Sequence, residues 1–295
     1  MSDMLFKGCG TALVTPFFDD GNVDLDAYAA LVQRQVEAGV DFLVPLATTG
    51  ETPTLSKDEK TAVFRLVKQY AGGLPLLPGV GSNNLRDTCA NIDLLAPLGP
   101  DAFLVVVPFY NKPTQQGLYD YFKAVAEYSP VPVVIYNVPG RTGSNILPDT
   151  VIRLATEVPG IIGIKEASGK YDQVSEIVAR APEGFSVLSG DDDMTFAFMA
   201  TGAHGVVSVA SNIAPAEVSG MTHALQEGKW LEARELHHRL FPLFKACFVE
   251  SNPVPAKAAL SLLGLAGASV RLPLSYPSNA TFELMDKVLA DLWKK

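Results

Sequence analysis

Eight short apolar, β-branched runs recur along the chain with helix-length segments between them, and this alternation limits the fold more than any other feature. The runs are 10–14, 42–46, 74–77, 102–107, 131–136, 161–164, 185–188 and 205–209. Each is continuously apolar instead of alternating, the pattern of a parallel strand buried on both faces. They recur roughly every 20 to 33 residues, room for one crossover helix each. Strands joined in this way close into an α/β fold of the (β/α)₈ TIM barrel type, and the alternation alone also fits a doubly wound open sheet.

The intervening segments predict amphipathic helices. Over 28–38, Leu31, Val32 and Val36 space an apolar face at helical intervals. Asp24 can cap that helix, and Ser56 followed by Glu59 is a capping-box pattern. Gly39, Gly99, Gly160 and Gly202 stand where helices should stop. Beyond about residue 228 the strand pattern ends, and 230–248, 255–263 and 280–293 predict helices. The expected organisation is a catalytic barrel over 1–228 and a C-terminal helical extension over 229–295. No Gly/Ser linker separates the two, so the extension should pack on the barrel. A chain of 295 residues, 48% hydrophobic, is long enough for one such domain and an addition.

A formal net charge of −9, without any run of Lys or Arg, argues against nucleic acid and membrane partners. The first residues carry no basic segment followed by an apolar stretch, and no window offers about 18 uninterrupted apolar residues. Cys9, Cys89 and Cys247 are odd in number, far apart and outside any CxxC or Cys/His spacing. A cytoplasmic protein with free thiols is the expectation.

In a barrel of this type chemistry sits at the carboxyl ends of the strands. Lys165, directly after the run 161–164, would sit at an apolar mouth where desolvation disfavours its charge and favours a nucleophilic amine. The alternative is a structural lysine whose head pairs with Glu166 or with Asp191 to Asp193. Tyr136, Tyr110, Thr48 and Thr49 place hydroxyls on neighbouring strand ends, where they could relay protons or simply satisfy local backbone. Arg141 could grip a carboxylate bidentately or form a surface ion pair. Asp191-Asp192-Asp193 could hold a divalent ion, but consecutive loop carboxylates are more often solvent-facing or capping. His237 and His238 are adjacent on a helix and diverge, while His204 and His223 lack i, i+4 partners, so a metal site is not expected. Gly79-Val80-Gly81 suggests a phosphate loop, yet no GxGxxG register follows.

Thr48-Thr49-Gly50-Glu51, Tyr136-Asn137-Val138-Pro139, Gly163-Ile164-Lys165-Glu166 and Ser189-Gly190-Asp191-Asp192 fall in one order, each at a strand end. Together they resemble the dihydrodipicolinate synthase and N-acetylneuraminate lyase superfamily of class I aldolases, over essentially the whole chain. The stretch from Tyr136 to Gly143 and the segment after Tyr110 resemble the synthase branch. Ala47 departs from the pattern, standing where the family usually has glycine.

The resemblance implies a Schiff base between Lys165 and pyruvate, with Tyr136, Thr48 and Tyr110 as the proton relay. It further implies that Tyr110 comes from a neighbouring chain of a homotetramer built as a dimer of dimers. Thr49 would bind the pyruvate carboxylate and Arg141 the carboxylate of L-aspartate 4-semialdehyde, with Gly190 and Val207 shaping the pocket. No metal, nucleotide or flavin is implied. The alternatives are another pyruvate-dependent lyase of the superfamily or a non-catalytic keto-acid binder. Lys57, Lys60 and Phe109 fall where lysine-sensitive relatives bind lysine, and two ammonium groups there lead to the expectation of weak or no inhibition by it.

Overall fold

The computed structural model describes residues 4–294. Its elements run β1 (Gly8–Ala12), α1 (Leu25–Glu37), β2 (Phe42–Val44), α2 (Lys57–Tyr70), α3 (Leu85–Leu95), β3 (Phe103–Val106) and α4 (Gln115–Tyr128). There follow β4 (Val133–Asn137), α5 (Pro139–Thr142), α6 (Pro148–Glu157), β5 (Ile161–Glu166), α7 (Tyr171–Arg180), β6 (Ser186–Ser189), α8 (Thr195–Ala200), β7 (Gly205–Ser208) and α9 (Pro215–Gln226). The chain ends in α10 (Trp230–Ala246), α11 (Val254–Leu262) and α12 (Asn279–Leu292).

The strands form one parallel sheet in the order β2-β1-β7-β6-β5-β4-β3. Its two edges are joined through the third apolar run. Leu76 bridges Leu43 of β2, and Gly79 bridges Leu104 of β3, both in parallel. Leu77 N donates to Leu43 O and Leu104 N to Pro78 O, each at 2.9 Å. This run makes bridges and no strand because Pro75 and Pro78 have no N–H to extend a ladder. Gly79 and Gly81 allow the close approach: a Cβ on Gly79 would stand 2.3 Å from Leu46 O, and one on Gly81 2.4 Å from Val106 N. Their glycines serve backbone packing.

Continuous apolarity has the expected cause, since alternate side chains enter two separate cores. Phe42, Val44, Leu104, Val134, Leu188 and Val207 meet inside the curled sheet. Leu43, Phe103, Val105, Ile135, Val187 and Val206 meet the helices outside it. The predicted caps are present: Asp24 accepts from Ala27 N at 2.9 Å, and Ser56 and Glu59 bond reciprocally as a capping box. Gly39 and Gly202 take φ of +74° and +106°, as helix stops do, whereas Gly160 keeps an ordinary φ and lies against Ala126.

The three last helices begin and end within two residues of the predicted segments. Arg271, between α11 and α12, ties them back to the first third of the chain. Its guanidinium donates to both carboxylate oxygens of Glu59, at 2.5 and 3.0 Å, and to the carbonyls of Gly21 and Thr54. The hydrogen bond from Arg271 is the main reason that the Glu59 carboxyl is pushed down from 4.5 to about 2. A depressed carboxylate pKa contributes stability that is complete above about 4.5 and lost as pH falls toward about 2. Glu59→Gln should therefore destabilise the fold at pH 7 by about 0.5–1 kcal/mol. In paired thermal melts, the gap between parent and variant should narrow as pH is lowered from 4.5; a gap independent of pH would contradict the assignment.

Candidate active site

Lys165 is the penultimate residue of β5, one position deeper in a strand than the sequence pattern suggested. It pairs in register with Tyr136 of β4 on one side and Leu188 of β6 on the other. Ladders on both sides fix where its side chain leaves the sheet. It is 4% exposed, and Nζ rests 4.1 Å from the centroid of the Tyr136 ring. Gly190, just past β6, leaves room for the lysine stem: a Cβ there would stand 3.0 Å from Lys165 Cε and 2.6 Å from the Ala167 methyl. Val207 is fully buried in the same interior cluster as Tyr136 and Leu188.

Neighbouring carboxylates are turned to other tasks. Glu166, one residue on, faces the opposite side of the sheet and accepts from Asn137, Ser168 N and Gln173 at 2.8 to 3.1 Å. Burial pushes its pKa up while those donors hold it down. Asp192 is also buried, so of the two expectations for the acidic loop it follows capping and not exposure to solvent. Its carboxylate accepts from Ser208 Oγ at 2.5 Å and from the backbone N–H groups of Val209 and Ala210 at 3.0 Å, capping the turn after β7. Asp193 pairs with Lys245 at 3.3 Å. Asp191 is raised to about 6, by burial first and then by Asp193. Among the described residues, no carboxylate lies within ion-pairing distance of Lys165.

Thr48, Thr49 and Gly50 form a 3₁₀ turn after β2, followed by Glu51 in the left-handed region at φ +50°. Ala47 keeps an ordinary extended backbone at φ −97°, so its methyl needs no compensation. Glu51 is held there by a buried ion pair: its Oε1 accepts from Lys257 Nζ of α11 at 2.5 Å, with both side chains 1% exposed. Oε2 accepts from Arg271 N at 3.0 Å. Lys257 also donates to Ser269 O, and burial lowers it to about 8 against the raising effect of Glu51. Thr49 is buried and accepts from Asn252.

A cavity of about 530 Å³ opens at these strand ends, with Thr48, Tyr136, Arg141, Lys60, Phe109 and Asn252 in its walls. Arg141 stands exposed on α5 with its side chain on this cavity. Lys60 is half-buried there, its pKa lowered by burial and then by exposed Lys57. Tyr110 is different. It is 88% exposed with φ +71°, and it is absent from the cavity walls. Within one chain Thr48, Tyr136 and Arg141 stand on the cavity wall, and Lys165 lies beside the Tyr136 ring with Gly190 against its stem and Val207 in the same cluster. Thr49 is joined to the wall residue Asn252, and Tyr110 stands apart from all of them.

Sequence reasoning passed over Asn252 and Lys257. The available signals were the Asn252-Pro253 step and a lone cation among the apolar residues of α11, both read as parts of a helical extension.

This arrangement, a buried lysine beside a tyrosine at the mouth of a parallel sheet, can be compared with known proteins. Residues 5–291 match the model of the dihydrodipicolinate synthetase family. The chain belongs to that family. It is 49% identical over 290 residues to the 4-hydroxy-tetrahydrodipicolinate synthase of Koribacter versatilis, covering 98% of this chain and 96% of the relative. The crystal structure of dihydrodipicolinate synthase from Thermotoga maritima superposes with a TM-score of 0.96 at 42% identity, covering 98% and 99% of the two chains. The dihydrodipicolinate synthase of Cyanidioschyzon merolae, solved with lysine bound, superposes at 0.94 with 38% identity over 98% and 99%. No helix among the described residues is long and apolar enough to cross a membrane.

Proposed function

We propose that this chain condenses pyruvate with L-aspartate 4-semialdehyde to 4-hydroxy-tetrahydrodipicolinate, on the route to diaminopimelate and lysine, through a Schiff base on Lys165. The observation that carries the reading is a buried lysine, locked in register beside Tyr136 and without a carboxylate partner among the described residues, in a chain of this family. The Lys165 amine attacks the keto carbon, and water leaves to give the iminium. Loss of a methyl proton gives the enamine, whose carbon attacks the aldehyde of the second substrate. The substrate amine then displaces Lys165 from the former keto carbon and closes the ring.

In this reading Tyr136 and Thr48 carry protons to and from the bound keto acid, Thr49 binds its carboxylate, and Gly190 and Val207 shape the floor. Arg141 takes the carboxylate of the semialdehyde with its planar fork. The extreme exposure and left-handed backbone of Tyr110 support a side chain that serves a second chain and completes its relay. We therefore infer a dimer of dimers. The bridged sheet supports a closed (β/α)₈ barrel over 1–228, with 76–79 as its remaining stave, and helices 229–295 packed on it. We place the enzyme in the cytoplasm, a compartment that suits its three free thiols.

Borohydride added with pyruvate should inactivate the protein by labelling Lys165, as read by peptide mass mapping. Label on another lysine, or on none, would sink the mechanism. Lys165→Arg should lower activity about a thousandfold or more with the fold intact, because a guanidinium cannot form the imine at neutral pH. Arg141→Ala should raise KM for the semialdehyde by about 10- to 100-fold and leave that for pyruvate within about threefold; equal effects on both would mark the residue as structural. Mixing Tyr110→Phe chains with Lys165→Arg chains should restore activity above that of either alone. No recovery after exchange of subunits would refute the shared site.

A further inference from the structure

Asn252 lies remote from the strand ends in sequence and on the cavity wall in space. It is 6% exposed, and its Nδ2 donates to Thr49 Oγ1 at 2.9 Å across 203 residues of chain. A hydroxyl that accepts from an amide keeps its own proton to give, and the approach of the amide sets where that proton can point. Five residues on, Lys257 holds Glu51, the residue directly after the same turn. The 252–257 segment thus holds the Thr48–Gly50 turn at its middle residue and at the residue that follows it.

The second half of the amide is unused. Asn252 Oδ1 is buried with no hydrogen-bond partner among the described residues. An orphaned acceptor of this kind has lost its water and gained nothing, so an apolar side chain of similar volume would serve packing at least as well. What an apolar side chain would not supply is the donor to Thr49.

We propose that Asn252 is a positioning residue for the condensation: by donating to Thr49 Oγ1 it turns the threonine proton toward the keto-acid carboxylate, so that the segment between α10 and α11 completes the pyruvate site. This rests on the reading of Thr49 as carboxylate ligand and of Lys165 as nucleophile. The amide acts through Thr49, so its loss falls on pyruvate binding and spares the second substrate.

Steady-state kinetics on the full chain test this. Asn252→Ala should raise KM for pyruvate about tenfold, with kcat and the KM for the semialdehyde within about threefold. The melting temperature should stay within about 3 °C of the parent. In a Thr49→Val background, where the hydroxyl is gone, the same substitution should change the pyruvate KM less than about twofold. An undiminished effect in that background, or a parallel fall in kcat, both substrate affinities and stability, would overturn the proposal. If the alanine variant does not fold, Asn252→Asp keeps the shape, removes the donor and sets a negative charge beside the carboxylate. It should raise the pyruvate KM further still, and an unchanged value is equally fatal. Borohydride labelling of the parent, run alongside, separates the two readings. An unlabelled parent removes the Schiff base and this inference together, whereas a labelled parent whose Asn252→Ala variant has normal pyruvate KM removes this inference alone.

Discussion

A parallel strand buried on both faces has nowhere to keep a polar side chain except near its ends, and most of this molecule follows from that constraint. The period of two then decides which end residues face the cavity and which face the helices. Lys165 and Glu166 are consecutive, so β5 cannot aim one at the cavity without driving the other into the outer core. The second carboxylate is tolerated because Asn137, Ser168 and Gln173 donate to it there. Asp192 meets the same condition with Ser208 and two backbone amides. The polar network around Glu166 is the local consequence of turning Lys165 to the opposite face of β5.

The Lys257–Glu51 pair illustrates a second balance. Taking both charges out of water is unfavourable, and such a pair repays that only when its remaining donors and acceptors are met. Here Ser269 O takes a second proton of Lys257, Arg271 N serves the other oxygen of Glu51, and the Phe17 ring lies 4.1 Å from the ammonium. Removing one partner of a pair this buried costs about 3–5 kcal/mol, which makes it a strict device for fixing geometry. The geometry it fixes is a left-handed residue directly after the threonine turn, which a β-branched residue would adopt at greater strain.

Sequence legibility followed the range of the interactions. Helix limits, the Asp24 cap and the Ser56 capping box were readable because they depend on residues three or four apart. The strand-end motifs were readable because each stands on its own strand. The third apolar run was read as a strand, yet Pro75 within it and Pro78 just after it reduce it to single bridges. For Asp191 to Asp193 the sequence could not choose between facing solvent and capping, because the donors that Asp192 caps lie 16 to 18 residues away. Asn252 and Lys257 were missed because their partners are more than 200 residues away, where local pattern carries no information. Tyr110 was read from the sequence as one more strand-end hydroxyl, and only the family resemblance suggested a role across chains; its exposure and left-handed backbone set it apart from the other hydroxyls.

The contact between Thr49 and Asn252 also has a bearing on time. A ribosome adds about 5–20 residues per second, so the turn waits on the order of 10 to 40 seconds before its wall partner exists. Every strand has been synthesised by then, while the clamp on the threonine hydroxyl is still missing. Such a nascent chain would carry its lysine nucleophile in place before it could hold a keto acid firmly. The firm hold on the turn is thereby postponed until the segment between α10 and α11 has been translated.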